Sequence, residues 1–315
     1  MERRLNILML VKRFADNMPK HIHKFDMLQA IEKEANVTYW GQNGSILDIL
    51  SELDERPDFI FHYDIEWHYA FAPSISELNK VDIPTGCYVL DVHYAPQIRR
   101  AYFDRNSKPD IIFSASKYPF LKVFPEAQSR FCWLPFGINP EMFKDYGLPK
   151  DIRYSLMGLM EGKYPFRQAV KERMKHEEGF VHFAHPGHRT SGRPGLFVHE
   201  KYATAINRSA ISFTCGSELA IPVAKFFEIP ACRTLMLAEP NADIEELGYR
   251  DGVHYAACSQ SNFYEQAKRY DADAAKREAI SQNGHDFIHR YHTNEVRAKQ
   301  FITAVKQLLA GKAAQ

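Results

Sequence analysis

The stretch VAKFFEIPACRTLMLAE (223–239), with the turn TCGSE (214–218) leading into it, constrains the fold more than any other part of the chain. AISFT (210–214) is a short apolar run closed by a Gly-Ser turn and LMLA (235–238) is a second run, so the unit reads as strand, turn, helix, strand. The spacing predicts a helix that starts near Pro222, whose fixed φ suits a first turn. It kinks or stops at Pro230, which has no N–H for an i→i−4 bond. Phe226, Ile229 and Ala231 would then pack on a sheet, while Lys225 and Glu228 share the other face near the helix start. In open α/β sheets that start faces the carboxyl ends of the strands. Ligands bind there, and phosphates are drawn to free N–H groups and to the positive end of the helix dipole.

A chain of 315 residues is long for one core and comfortable for two domains. Lys and Arg total 40 against 39 acidic residues, a net charge of +1, so no global field recruits nucleic acid. The five cysteines lie far apart in apolar runs, which suggests buried, reduced thiols in a cytoplasmic protein and no CxxC zinc site. The apolar run near the N-terminus (LNILMLV, 5–11) is too short for a signal or membrane-spanning segment and reads as a buried first strand.

The residues FEIPAC (227–232) resemble the FEIPACG signature of the CgeB-like, spore-maturation-type glycosyltransferases, which belong to the two-domain GT-B class. Asn283-Gly284, the YHT at 291–293 and Arg297 look like that family's terminal pattern, and LPFGINPEMF (134–143) looks like its interdomain segment. The resemblance covers the second half of the chain well and the first half weakly. It implies that Glu228 binds the ribose hydroxyls of a nucleotide-sugar donor. The chain departs from the family at Arg233, where the family has a glycine that gives a helix end its free φ.

Along the first half, apolar runs at 37–40, 57–62, 82–91 and 109–115 read as further strands of one Rossmann-like sheet. The basic loop at 12–24 lacks the glycine pair common in GT-B enzymes; it either faces an anionic acceptor or a membrane surface, or is a solvated loop. Asp91 and His93 follow the 82–91 strand, a position for groups that act on substrate, and His93 is similar to a sugar-contacting histidine of related enzymes. The other reading is a local hydrogen-bonded pair. Asp64 and Glu66 end the preceding strand, lining the same cleft or a polar loop. The linker falls at 139–149. Beyond it, Lys163 and Arg167 sit at the start of a helix (166–176), where the dipole and the resemblance both point to diphosphate contact, with surface charge as the alternative. His182, His185 and His188 alternate without a carboxylate or cysteine to complete a metal site, so His185 is read in a nucleotide or acceptor loop. Thr293 is a good N-cap for a final helix.

These readings combine into an α/β fold of two Rossmann-like domains facing across a cleft: 1–145 for an acceptor, 146–292 for a nucleotide sugar, and 293–315 as a helix returning to the first domain. The expected activity is metal-independent transfer of a sugar from a nucleotide-diphosphate sugar, with a UDP-sugar favoured, to the hydroxyl of a glycan, small molecule or protein. No cofactor is expected. Glu228 would hold the ribose; helix-end N–H groups at Gly216, Ser217, Glu218 and Leu219, with Lys225, Lys163 or Arg167, would hold the diphosphate; His185 would lie in a nucleotide-base or acceptor loop; Asp91 or His93 would orient the sugar or take the acceptor proton. An epimerase or hydrolase on the same fold and a non-catalytic nucleotide or glycan binder remain alternatives.

Overall fold

The computed structural model describes residues 3–188 and 196–314, and at residues 66 and 67 the backbone alone. In chain order the strands are β1 (Asn6–Leu10), β2 (Asn36–Trp40), β3 (Gly44–Ser45), β4 (Phe59–His62), β5 (Ile75–Ser76), β6 (Thr85–Val89), β7 (Ile111–Ser114), β8 (Phe131–Trp133), β9 (Ile152–Met157), β10 (Phe180–Phe183), β11 (Ser209–Thr214), β12 (Leu235–Ala238) and β13 (Ala256–Ala257). The α-helices are α1 (Phe14–Asn17), α2 (Ile22–Glu32), α3 (Ile46–Ser51), α4 (Glu66–Tyr69), α5 (Pro96–Ala101), α6 (Tyr118–Val123), α7 (Pro165–Met174), α8 (His199–Asn207), α9 (Lys225–Ala231), α10 (Ala242–Glu246), α11 (Phe263–Ala272), α12 (Ala274–Tyr291) and α13 (Asn294–Ala313).

The chain divides into two compact units, one of Met1–Asn17, Lys24–Pro135 and Arg297–Gln315, the other of Met18–His23 and Phe136–Val296. The division falls upstream of the linker read at 139–149, because the backbone at Ile138 pairs with Thr293 and belongs with the second unit. Gly137 permits that approach: a Cβ there would lie 2.9 Å from the Thr293 carbonyl oxygen.

The first unit is built on a six-stranded sheet in the order β2-β1-β4-β6-β7-β8. Every registered pair in it is parallel. Continuous apolar runs fit this arrangement, since a parallel strand is covered on both faces; β4 and β6 are buried throughout. The C-terminal helix packs on this sheet through Phe301, whose ring centroid lies 4.9 Å from those of Phe61 and Phe113. Thr293 caps it, accepting from the Val296 N–H at 3.3 Å. The two-residue pair β3-β5 forms a separate small sheet.

The second unit has a five-stranded parallel sheet in the order β10-β9-β11-β12-β13. Its faces are covered separately. Ala203, Ile206, Phe226, Phe227, Ile229 and Ile288 share a core on one side, and Phe166, Val170, Met174, Phe263, Ala267 and Tyr270 share one on the other. The α/β fold with parallel sheets is therefore the one the sequence pattern predicts.

Around the organising stretch the structure corrects one detail. The helix begins at Lys225, not near Pro222, and residues 215–224 form irregular turns before it. Pro230 lies inside α9 and removes the donor that would have met the Phe226 carbonyl. That oxygen instead accepts from the Tyr249 hydroxyl at 2.6 Å. A Tyr249→Phe substitution should leave a buried carbonyl unpaired and lower unfolding stability by about 1–3 kcal/mol. In a Pro230→Ala background the restored N–H at 230 can take over, so a urea double-mutant cycle should give a smaller loss; an equal loss in both backgrounds would show that the tyrosine does not serve this carbonyl.

Candidate active site

In the second sheet the chain runs from β9 outward to β10 and then returns to the other side of β9 at β11, so the loops after β9 and β11 diverge at a topological switch point, where open α/β sheets bind ligands. Gly158, just after β9, has φ +114°, and a Cβ on it would come within 2.9 Å of Arg167 Nη1 and 3.1 Å of Lys225 Cε. Glycine is thus what lets both cationic side chains close over the strand end. Arg167, on α7, is 2% exposed. It donates from Nη1 to the Leu159 carbonyl at 3.0 Å and stacks over Tyr164 at 3.9 Å, while its buried Nε has no partner. Burial, with Arg167 beside it, depresses the Lys225 amine to about 8 against the opposing pull of Glu228.

No helix begins at the turn after β11, so 216–219 is not the helix end that the sequence reading places there, and two of its N–H groups are bonded within the protein. Glu218 N–H donates to the Lys163 carbonyl at 3.0 Å and Leu219 N–H to Ser217 Oγ at 3.2 Å. Gly216 is needed because a Cβ would lie 2.8 Å from the Ile221 carbonyl oxygen, and Ser217 itself has φ +64°. Gly216, Ser217, Glu218 and Leu219 therefore shape and lock the switch-point loops, and Lys163 takes part through its carbonyl while the residue is exposed.

Glu228 is 5% exposed, and its helix neighbours from Phe226 to Ala231 are apolar and buried. Its Oε2 accepts from the Tyr202 hydroxyl at 2.7 Å. Burial and the Glu228 charge push that phenol well above its ordinary pKa, so it remains a donor. Lys225 Nζ sits 5.7 Å over the same ring. The structure thus brings together Glu228, Lys225, Arg167 and Gly216–Leu219 in one unit. His185 belongs to it as well: its Nδ1 accepts from the Gly187 N–H at 3.0 Å, its Nε2 meets Lys20 Nζ, and burial with the nearby cations Lys20, Lys225 and Arg167 holds it neutral, at about 3.

Asp91 and His93 lie in the loop after β6 of the first unit, where Asp91 Oδ1 meets His93 Nδ1 at 2.5 Å. That bond places a proton on Nδ1 and leaves Nε2 as an acceptor. Asp64 lies in the loop after β4. It is fully buried, pairs with Arg99 at 2.7 Å and accepts from the Leu90 N–H at 2.8 Å. Arg99 also donates to the Tyr94 carbonyl at 3.1 Å and the Asp91 carbonyl at 3.4 Å, so the pair fixes the loop that carries Asp91 and His93. The Glu66 side chain lies outside the described residues. Among the described residues no group of three or more His, Cys, Asp or Glu side chains is arranged to hold a metal ion. No described helix is long and apolar enough to cross a membrane.

Tyr202 and Arg99 escape the sequence reading, since their partners are 26 and 35 positions away and no local periodicity marks them. Arg233 does carry a sequence signal, as the departure from glycine, and it keeps the geometry a glycine would give, with φ +52°. Its guanidinium pairs with Asp145 at 2.9 Å and with Glu278.

Residues 167–303 match the family of glycosyl transferase-like proteins. Among solved structures the chain is similar to HepE of Anabaena in complex with UDP and glucose, at 10% identity and a TM-score of 0.64 over 96% of this chain and 100% of that one. It is equally similar to sucrose-phosphate synthase of Thermosynechococcus elongatus, at 11% identity and a TM-score of 0.64 over 98% and 100%. AviGT4, a glycosyltransferase involved in avilamycin A biosynthesis, follows at 10% identity and 0.62 over 98% of each chain. No curated protein sequence matches the chain. At these identities the likeness establishes the fold, which nearly the whole chain shares with these proteins.

The Arg233 turn can be checked by stability. A non-glycine residue at positive φ costs about 1–2 kcal/mol, and half-exposed ion pairs return about 0–1 kcal/mol each. Arg233→Gly should therefore stay within about 1 kcal/mol of wild type, whereas Arg233→Ala keeps the strain, loses the pairs and should be less stable than the glycine variant. Burial raises the Asp145 carboxyl, but the Gly147 N–H, Arg233 and Asn207 outweigh it and hold it at about 2. Its folded value is below its unfolded one, so its stabilisation is complete above about pH 4 and is lost as pH falls through about 2. Urea titrations at pH 6 and pH 3 should show a smaller acid loss in Arg233→Gly than in wild type.

Proposed function

We propose that the protein is a glycosyltransferase of the CgeB-like type that moves a sugar from a nucleotide-diphosphate sugar, with a UDP-sugar favoured, to an acceptor hydroxyl without a metal ion. The observation that carries this reading is the convergence of Arg167 and Lys225 over Gly158, beside the buried carboxylate of Glu228. Two cations crowded at a strand end, one with an unpartnered buried nitrogen, suit a diphosphate, and a held carboxylate suits ribose hydroxyls. The glycosyl transferase-like match over 167–303 spans Arg167, Lys225 and Glu228, and a similar structure was solved with UDP and glucose.

During transfer the bond from the anomeric carbon to the diphosphate oxygen breaks, and a bond from that carbon to the acceptor oxygen forms. Negative charge grows on the departing diphosphate, where Arg167 and Lys225 stabilise it; a Lys225 amine near 8 becomes more fully protonated as that charge appears. The acceptor proton goes to His93 Nε2, with Asp91 orienting the ring and stabilising its cationic form. The Asp64–Arg99 pair keeps the loop in place, so this base is held by backbone contacts as well as by Asp91.

Incubation with a panel of sugar nucleotides should yield free nucleoside diphosphate and a glycosylated acceptor, unchanged by EDTA. An isomeric sugar nucleotide would make the protein an epimerase, and loss of transfer with EDTA restored by magnesium or manganese would overturn the metal-free assignment. In calorimetric titrations Glu228→Ala should weaken donor binding about tenfold to a hundredfold, the worth of a charge-assisted hydrogen bond of roughly 1.5–3 kcal/mol. Unchanged affinity would take Glu228 out of the donor site.

A separate expectation concerns the base. Asp91→Ala and His93→Ala should each leave donor affinity near wild type, and His93→Ala should lower kcat by about 10²–10⁴-fold as general bases do. Wild-type turnover by both variants at saturating substrates would place the proton acceptor elsewhere.

A further inference from the structure

We propose that Tyr202 is the positioning residue that gives the donor site its preference for a ribonucleotide. The inference rests on the donor reading of Glu228. A glutamate on a helix has three rotatable bonds, and one that recognises a sugar edge must hold a single rotamer. The Tyr202 hydroxyl holds Oε2 of Glu228 at 2.7 Å, while Oε1 has no hydrogen bond from a described residue. One carboxylate oxygen is thus committed to the protein and the other remains to accept from the cis-diol of a ribose.

The ring of Tyr202 is itself fixed. Phe197 meets it edge-on at 5.8 Å and Phe143 at 6.1 Å, in T-shaped geometry. Lys225 Nζ lies over it at 5.7 Å. A single aromatic side chain on α8 therefore touches both donor residues of α9, the carboxylate through its hydroxyl and the amine through its face. These two contacts can be separated by substitution. Tyr202→Phe keeps the packing and the cation–π contact but removes the hydroxyl that orders the carboxylate. Its effect should fall on the diol, with the diphosphate contacts spared.

The test compares the tightest-binding nucleoside diphosphate of a panel (UDP, GDP, ADP, CDP, dTDP) with its 2′,3′-dideoxy analogue by calorimetry. Wild type should prefer the ribonucleotide by about tenfold or more, the scale of one charge-assisted hydrogen bond. If dTDP leads, the ribose form of the same base replaces it as reference. Tyr202→Phe should cut that preference several-fold by weakening ribonucleotide binding, with dideoxy affinity unchanged; because Glu228 also loses a buried partner, the melting temperature should fall as well. Tyr202→His, which retains a ring and a donor, should recover part of the preference. A purely structural tyrosine would weaken both ligands equally, or lower the melting temperature without changing their ratio, and either result overturns the proposal. If Glu228→Ala abolishes the preference and Tyr202→Phe preserves it, the tyrosine role fails alone. If Glu228→Ala also preserves it, or wild type binds no nucleoside diphosphate, the donor reading fails and takes this inference with it.

Discussion

A carboxylate held inside an apolar helix is the constraint on which the second unit depends. Phe226, Phe227 and Ile229 of α9 are each at most 1% exposed, and Glu228 lies among them. An unpaired buried charge would be expelled or neutralised. The Tyr202 hydroxyl supplies Glu228 with a partner and Lys225 lies over the same ring, so the position of α8 and the entry of α9 are tied to one side chain. The far end of the helix is specified in the same way. Tyr249 meets the carbonyl that Pro230 leaves open, His285 and His289 reach the Ala231 carbonyl, and Asn207 donates to the Cys232 carbonyl. Apolar packing seats the helix against the sheet, and these polar partners fix where along the sheet it sits.

The first unit solves a comparable problem with a buried ion pair. Asp64 and Arg99 are almost wholly removed from solvent, where desolvation opposes the attraction between them. Additional hydrogen bonds to backbone groups at Leu90, Asp91 and Tyr94 offset part of that cost. All three bonded residues lie at the mouth of β6. The ion pair is therefore better understood as a device for shaping a loop than as a source of stability, and the loop it shapes bears a carboxylate–imidazole pair.

What was legible in the sequence follows from the range of the interactions involved. The strand at 210–214, the helix ending around Pro230 and the strand at 235–238 were readable because apolar runs and a proline act within a few residues. So was the N-cap at Thr293. The turns at 215–224 were not, because their conformation comes from bonds such as Glu218 N–H to the Lys163 carbonyl, which join loops from different strands. Asp64 is a loop carboxylate as read, but nothing near it in sequence reveals its burial against Arg99. The two-residue strands β3 and β5 leave too short a pattern to detect. At Arg233 the sequence revealed the anomaly but not its resolution. The resemblance read at 227–232 sets up the expectation of a glycine; only the structure shows that Asp145 and Glu278 pair with an arginine at positive φ there.

Departures from local folding rules collect at the switch point of the second sheet. Gly158 and Ser217 have positive φ, Arg167 keeps a buried nitrogen without a partner, and the Lys225 amine is depressed because burial and a second cation oppose its charge. The unpartnered Arg167 nitrogen and the depressed Lys225 amine are unfavourable in the free protein, and a single anionic ligand would relieve both together by pairing with both cations. Glu228 lies on the same short helix but carries the opposite charge, so an anion cannot sit against it; a neutral group that donates hydrogen bonds can. The arrangement therefore sorts its ligand along α9, with negative charge favoured at Lys225 and hydroxyls at Glu228. A diphosphate joined to a ribose has that order of groups, whereas inorganic diphosphate or a sugar phosphate supplies only part of it. The physical case for a nucleotide rests on this ordering of charge and hydrogen bonding, which the fold alone does not specify.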